Sequence, residues 1–131
     1  MARAVRFAGY AAIFDRPDRG GDVVRRGAFA RSLAHADGVP LLWQHRRGRA
    51  IGRIEMLGED ARGLRVIGRV TDRQAAALLA AGEAGGLSFG YRVRAWRSGP
   101  GNLRELLDLD LVEVSLVCAP MQPLARVHAV A

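Results

Sequence analysis

The sequence has no lysine: all 20 basic residues are arginine, set against 13 acidic residues for a net charge of +7. The arginines run from Arg3 to Arg126 without forming a block, and only HRRGR at 45–49 is locally dense. Basicity on this scale raises the question of nucleic acid, but no nucleic-acid-binding motif accompanies it. One cysteine, Cys118, excludes an internal disulfide, and its apolar setting in EVSLVCAP reads as a buried, inert thiol. That cysteine and three scattered histidines, His35, His45 and His128, have no zinc-ligand spacing, so neither a metal nor a cofactor is expected. No apolar run approaches the roughly 20 residues needed to span a bilayer. The N-terminal MARAVRFAGYAAIF alternates like a strand and lacks the long apolar core of a signal peptide. The expectation is a soluble protein that stays inside the cell that makes it. No repeat or linker divides the 131 residues, so residues 1–131 read as one domain with one core.

What is present is mainly strand. Residues 3–14 place Val5, Phe7, Ala11 and Ile13 on one side, and residues 64–70 set Leu64, Val66, Gly68 and Val70 against Arg65 and Arg69. Further strands are expected at 39–45 (VPLLWQH), 51–57 and 111–119 (LVEVSLVCA). In GEAGGLSFGYRVRAW, 82–96, Leu87, Phe89, Tyr91, Val93 and Ala95 share one face, while Ser88, Gly90, Arg92 and Arg94 share the other. Two helices are expected. GAFARSLAHADG puts Phe29 and Leu33 on one face and stops at Asp37-Gly38. TDRQAAALLAAG begins with a capping box of Thr71 and Gln74, is rich in Ala and Leu, and ends at Gly82. The segment 15–27 reads as a polar, Gly-rich loop. Many short strands in one small domain must protect their edges. The expected fold is therefore mainly β with α (α+β): a small closed or nearly closed antiparallel β-barrel with two short helices.

Few residues could do chemistry. A serine nucleophile needs a base, and the base needs a group to orient it. His45 ends a strand just before a charged loop, whereas His35 reads as a solvated surface residue and His128 lies in the C-terminal tail. A lone histidine at a strand end is more often structural than catalytic. Glu113 is a carboxylate inside an apolar strand, costly to bury unless paired. An arginine partner would make it a structural ion pair, and an imidazole partner would make it the orienting member of a triad. Ser115, two residues on, points to the same side as Glu113 and competes with Ser88 for the nucleophile's role. Ser88 differs in following Gly85-Gly86, where backbone can approach a ligand closely, and in having Gly90 beside it on the same face.

The order GYAAIFDRPDRGGDVVRRGAF, VPLLWQH, IGRI, GLRVIGRV, GLSFGYRV and LVEVSLVCAPMQPLARV resembles the prohead proteases of tailed bacteriophages and gene transfer agents, from about Gly9 to Val127. These are serine endopeptidases distantly similar in fold to herpesvirus maturation proteases. The resemblance implies a catalytic set of His45, Ser88 and Glu113. It implies that the substrate and partner is the major capsid protein, cut in its internal scaffolding segment, with the protease itself a second substrate. It places the enzyme in the bacterial host cytoplasm, inside the assembling prohead. A homo-oligomer stays open, and neither membrane nor nucleic acid is an expected partner. The chain stops soon after its last expected strand, so self-removal of a long tail is not expected. Two other readings stand beside this one: an inactive capsid assembly factor of the same fold, and a basic nucleic-acid-binding module.

Overall fold

The computed structural model describes residues 4–35 and 38–131. Among these are eight strands and two short helices. Val5–Ile13 (β1), Ala50–Glu59 (β4) and Gly63–Val70 (β5) form an antiparallel group in which β5 lies between the other two. The period-two pattern of β5 becomes burial directly. Leu64, Val66, Gly68 and Val70 face the core, and Arg65, Ile67 and Arg69 are half-buried on the far side. Gly68 is small because Phe7 lies over it: a Cβ there would stand 2.6 Å from the Phe7 ring.

The longest pair is Gly86–Ser98 (β6) and Arg104–Val117 (β7), an antiparallel hairpin running from Gly86 opposite Val117 to Ser98 opposite Arg104. β6 occupies one edge of β7. The other edge takes two short strands in parallel, Asp22–Val24 (β2) beside residues 104–106 and Leu41–Trp43 (β3) beside residues 114–116. These two ladders depart from the antiparallel pattern expected. β3 continues the sheet into β4, and Val127–Val130 (β8) adds to β1. The sheet curls back on itself at one corner. Leu87 N–H donates to the Ala125 carbonyl at 2.9 Å and Val127 N–H to the Gly85 carbonyl at 2.9 Å, joining the start of β6 to the approach of β8. Gly9 of β1 permits that closure, since a Cβ there would lie 2.8 Å from Leu87 Cδ1. The enclosed core includes Phe29, Leu41, Ile51, Leu64, Leu87 and Leu116. Each such side chain contributes about 1.5–3 kcal/mol relative to exposure.

Several local expectations are corrected. The first helix, Ala30–Leu33 (α1), is a single turn that ends well before Gly38; the expected stop at Asp37 lies outside the described residues. It is held from outside: Glu59 accepts the N–H groups of Gly27 and Phe29 at 2.8 Å each, and the Phe29 ring packs edge-on against Phe89. The second helix, Arg73–Ala80 (α2), is capped by Asp72, whose carboxylate accepts Ala75 N–H at 3.0 Å, rather than by Thr71 with Gln74. Asp72 has the extended backbone a cap requires, and the Thr71 hydroxyl is turned to the Ile51 carbonyl of β4 instead of to the helix. Gly82 ends the helix with φ +76°, as expected. The loop 15–27 contains β2, and the C-terminal tail contains β8; both are too short to show a period. Cys118 is exposed, not buried, because β7 ends at Val117 and the chain turns outward there. No helix among the described residues is long and apolar enough to cross a membrane.

Candidate active site

The β6–β7 hairpin sorts its residues onto two faces. Leu87 pairs with Leu116 and Phe89 with Val114, and this face joins the core. Ser88 pairs with Ser115 and Gly90 with Glu113, so these four residues share the other face. Beyond Gly90 the register shifts, and Tyr91 lies opposite Leu111, leaving Val112 unpaired and exposed. Alternation turns Ser88 away from the core, as the sequence pattern predicts, and the register of the hairpin then places it on the side of Glu113. Gly90 turns out to make room for Glu113 rather than for the Ser88 hydroxyl: a Cβ there would stand 2.5 Å from Glu113 Oε1.

His45 reaches this face from β3. After Trp43 the chain turns sharply, with Gln44 at φ +51° and His45 at φ +60°. Two consecutive non-glycine residues in the left-handed region cost about 1–3 kcal/mol each and need the surroundings to hold them. The bonds that hold this turn are specific. Gln44 N–H donates to the Leu116 carbonyl at 3.0 Å, and Gln44 Oε1 accepts Cys118 N–H at 2.9 Å. Arg46 N–H closes the turn onto the Trp43 carbonyl at 2.9 Å, and His45 N–H donates to Ser115 Oγ at 2.9 Å. The result carries the imidazole over β7, where its Nδ1 is hydrogen-bonded to Glu113 Oε1.

Glu113 is therefore partnered by an imidazole, and no arginine pairs with it among the described residues. Its second oxygen accepts the Ser115 hydroxyl at 2.7 Å. The hydrogen bond to Glu113 raises the His45 pKa above its usual value, partial burial opposes this, and the carboxylate charge adds to the rise. With the Nδ1 proton committed to Glu113, the neutral ring carries its lone pair on Nε2. The His45 side chain is 43% exposed and borders a cleft, so the ring is partly open.

His45 and Ser88 line the same open cleft of about 500 Å³. The two serines now separate. Ser88 is 8% exposed and borders the cleft, whereas Ser115 is fully enclosed at 0% and cannot meet a substrate. The cleft is also lined by Arg19, Asp22, Tyr91 and Met121. Asp22 is gripped by Arg104 at 2.8 and 2.9 Å, which holds its carboxyl below the usual range, and it accepts the Tyr91 hydroxyl at 3.1 Å. Burial first, then the Asp22 charge, pushes Tyr91 up to about 12, so the phenol stays protonated near neutrality. His35 is exposed on the surface, and His128 stacks on Tyr10 with ring centroids 5.8 Å apart; neither lines the cleft. The sequence pattern did not reveal the anchoring by Gln44 or the depth of Ser115. Each is a common polar residue whose meaning comes only from its partners.

Comparison with known proteins bears on the family and the fold. Residues 2–131 match the family described as caudovirus prohead serine protease. The chain is 36% identical over 94 residues to the prohead protease of Enterobacteria phage HK97, a match covering 66% of this chain and 42% of that protein. It thus spans less than half the length of that relative. The fold superposes on the KSHV protease solved with a hexapeptide phosphonate inhibitor, with a TM-score of 0.64 at 12% identity, over 98% of this chain and 65% of that one. The varicella-zoster virus protease gives a TM-score of 0.53 at 15% identity, over 88% and 65% of the two chains. At such identities the two viral structures speak for the fold alone. The family match spans nearly all of the chain, including the turn, the hairpin and the cleft between them, and on that ground the chain belongs to the caudovirus prohead serine protease family.

Proposed function

We propose that this chain is a serine endopeptidase of capsid maturation, with Ser88 as nucleophile, His45 as general base and acid, and Glu113 as the group that orients and stabilises the imidazole. The observation that carries this reading is the junction of two separate elements. The β3 turn brings His45 onto Glu113 at the edge of the cleft that Ser88 borders. In the reaction, the Ser88 Oγ–H proton passes to His45 Nε2 as Oγ bonds to the peptide carbonyl carbon. The same proton then goes to the leaving amine as the C–N bond breaks. Water repeats the sequence on the acyl-enzyme and restores Ser88. Positioned proton transfer of this kind contributes about 10²–10⁴ in rate. The chain order His, Ser, Glu is no obstacle, since such sets are defined by geometry and role.

The substrate proposed is the internal scaffolding segment of the major capsid protein, with the protease itself as a second target, cut inside the assembling prohead. Family membership and the name of the HK97 relative support this assignment. The net charge of +7 would favour retention among acidic scaffold segments. A fluorophosphonate probe tests the site: Ser88 is expected to be labelled, as mapped by mass spectrometry. Ser88→Ala is expected to lower processing of capsid protein by about 10⁴-fold or more. Normal processing by folded Ser88→Ala protein would overturn the assignment. No labelling and no processing by the intact chain with its capsid protein would favour an inactive assembly factor instead.

A further inference from the structure

Ser115 stands next to the proposed machinery without a role in it. It is fully buried, so it is not a nucleophile in reserve. A hydroxyl has one proton and two lone pairs. Here the proton is directed to Glu113 Oε2 at 2.7 Å, and a lone pair accepts the His45 backbone N–H at 2.9 Å. One oxygen atom thus ties the orienting carboxylate to the backbone of the base. A serine that merely filled space beneath the sheet would need any donor and any acceptor. This one uses the residues on either side of the Nδ1 contact. It also supports His45 at φ +60°, where the chain would otherwise relax.

Resting on the protease reading above, we propose that Ser115 is a positioning residue: its hydroxyl fixes the Glu113 carboxylate and the His45 backbone together, so that the imidazole meets Ser88 in one tautomer and one orientation. Glu113 has two oxygens, and the two bonds divide them. Oε2 is held by Ser115, which leaves Oε1 aimed at Nδ1. Gly90 closes the opposite side, since no side chain separates it from the carboxylate. Without the Ser115 hydroxyl, the carboxylate gains a rotation and the His45 turn loses a strut. Among the described residues, Glu113 is the one group hydrogen-bonded to the imidazole; Asp18, Arg19, Asp22 and Tyr91 line the cleft it faces.

The test uses Ser115→Ala, which removes the hydroxyl, and Ser115→Cys, which fills the same space with a weak donor. The readouts are the rate of fluorophosphonate labelling of Ser88 from pH 5 to 9 and the thermal unfolding midpoint. Misplacement of a base on this scale costs on the order of 10- to 100-fold in rate. That loss is expected in both variants, together with an acid limb displaced toward lower pH, because the Glu113 bond that raises His45 is loosened. A purely structural role would move the unfolding midpoint and leave the acid limb in place. Should Ser115→Ala not fold, Ser115→Cys decides alone. Labelling of either folded variant at the parent rate, or slowed labelling with an unmoved acid limb, would overturn the proposal. If the parent protein itself shows no labelling at Ser88, the protease reading falls, and this inference falls with it.

Discussion

Strand β7 carries two buried glutamates, Glu105 near its start and Glu113 near its end, each 7% exposed. They share residue type, strand and burial, and they differ in company. Glu105 is clamped by Arg97 Nε and Arg25 Nε at 2.8 Å each, two cations that never lose their charge. Glu113 is held by a titratable ring and a neutral hydroxyl. The first arrangement spends the carboxylate on a fixed pair between loop and hairpin. The second keeps it ready for a charge that appears only when the imidazole takes a proton. A glycine attends each: a Cβ on Gly99 would lie 3.1 Å from Glu105 Cγ, and one on Gly90 would lie 2.5 Å from Glu113 Oε1. Burial of a carboxylate therefore says little about its use until its partners are known.

The sharpest break of this comparison is Glu113→Gln. It weakens the acceptor that selects the tautomer, and labelling of Ser88 is expected to fall by on the order of 10⁴-fold. Residual labelling should also show an acid limb nearer the ordinary histidine value of about 6.5. Retention of full labelling would show that Glu113 is as structural as Glu105. Next in size is Gly90→Ala. Its added carbon would displace the carboxylate, and a rate loss of about 10²-fold is expected in a protein that still folds. An unchanged rate would mean that Glu113 tolerates a shift, and that the orientation described here is not needed. Smallest is Glu105→Gln, which should lower the thermal unfolding midpoint and leave Ser88 labelling unchanged; a large activity loss there would erase the distinction.

The two glutamate sites also respond oppositely to pH. Hydrogen bonds from Arg97 and then Arg25 hold the Glu105 carboxyl below its usual range. Its stabilisation is present above the unfolded carboxylate value and is lost as pH falls through the folded value. His45 is raised, so its pairing with Glu113 stabilises the fold fully below about 6.5 and fades as pH rises through the folded value. Unfolding midpoints measured across pH should show Glu105→Gln flattening the acid side and Glu113→Gln flattening the near-neutral side.

Much of this was legible in the residues. The alternation in 64–70 became the burial pattern of β5, and the alternation from Leu87 put Ser88 and Gly90 away from the core. The resemblance named His45, Ser88 and Glu113 together. Elsewhere the signal was too short or too local. β2 and β8 have three and four residues, too few to express a period. Thr71 and Asp72 are both capping residues side by side, and only the path of the chain from β5 chose Asp72. Cys118 continued an apolar run, but the strand ended one residue before it.

The sequence by itself determined which faces of the strands are apolar, where the glycines allow close approach, and which residues could serve as nucleophile, base and carboxylate. Those properties follow from side-chain chemistry and the two-residue period of a strand. Tertiary structure alone decided that Glu113 faces an imidazole rather than an arginine, and that Ser115 is sealed while Ser88 borders the cleft. The reason is that β3 lies parallel beside the end of β7 and then turns through two left-handed residues, a long-range pairing that no local pattern encodes.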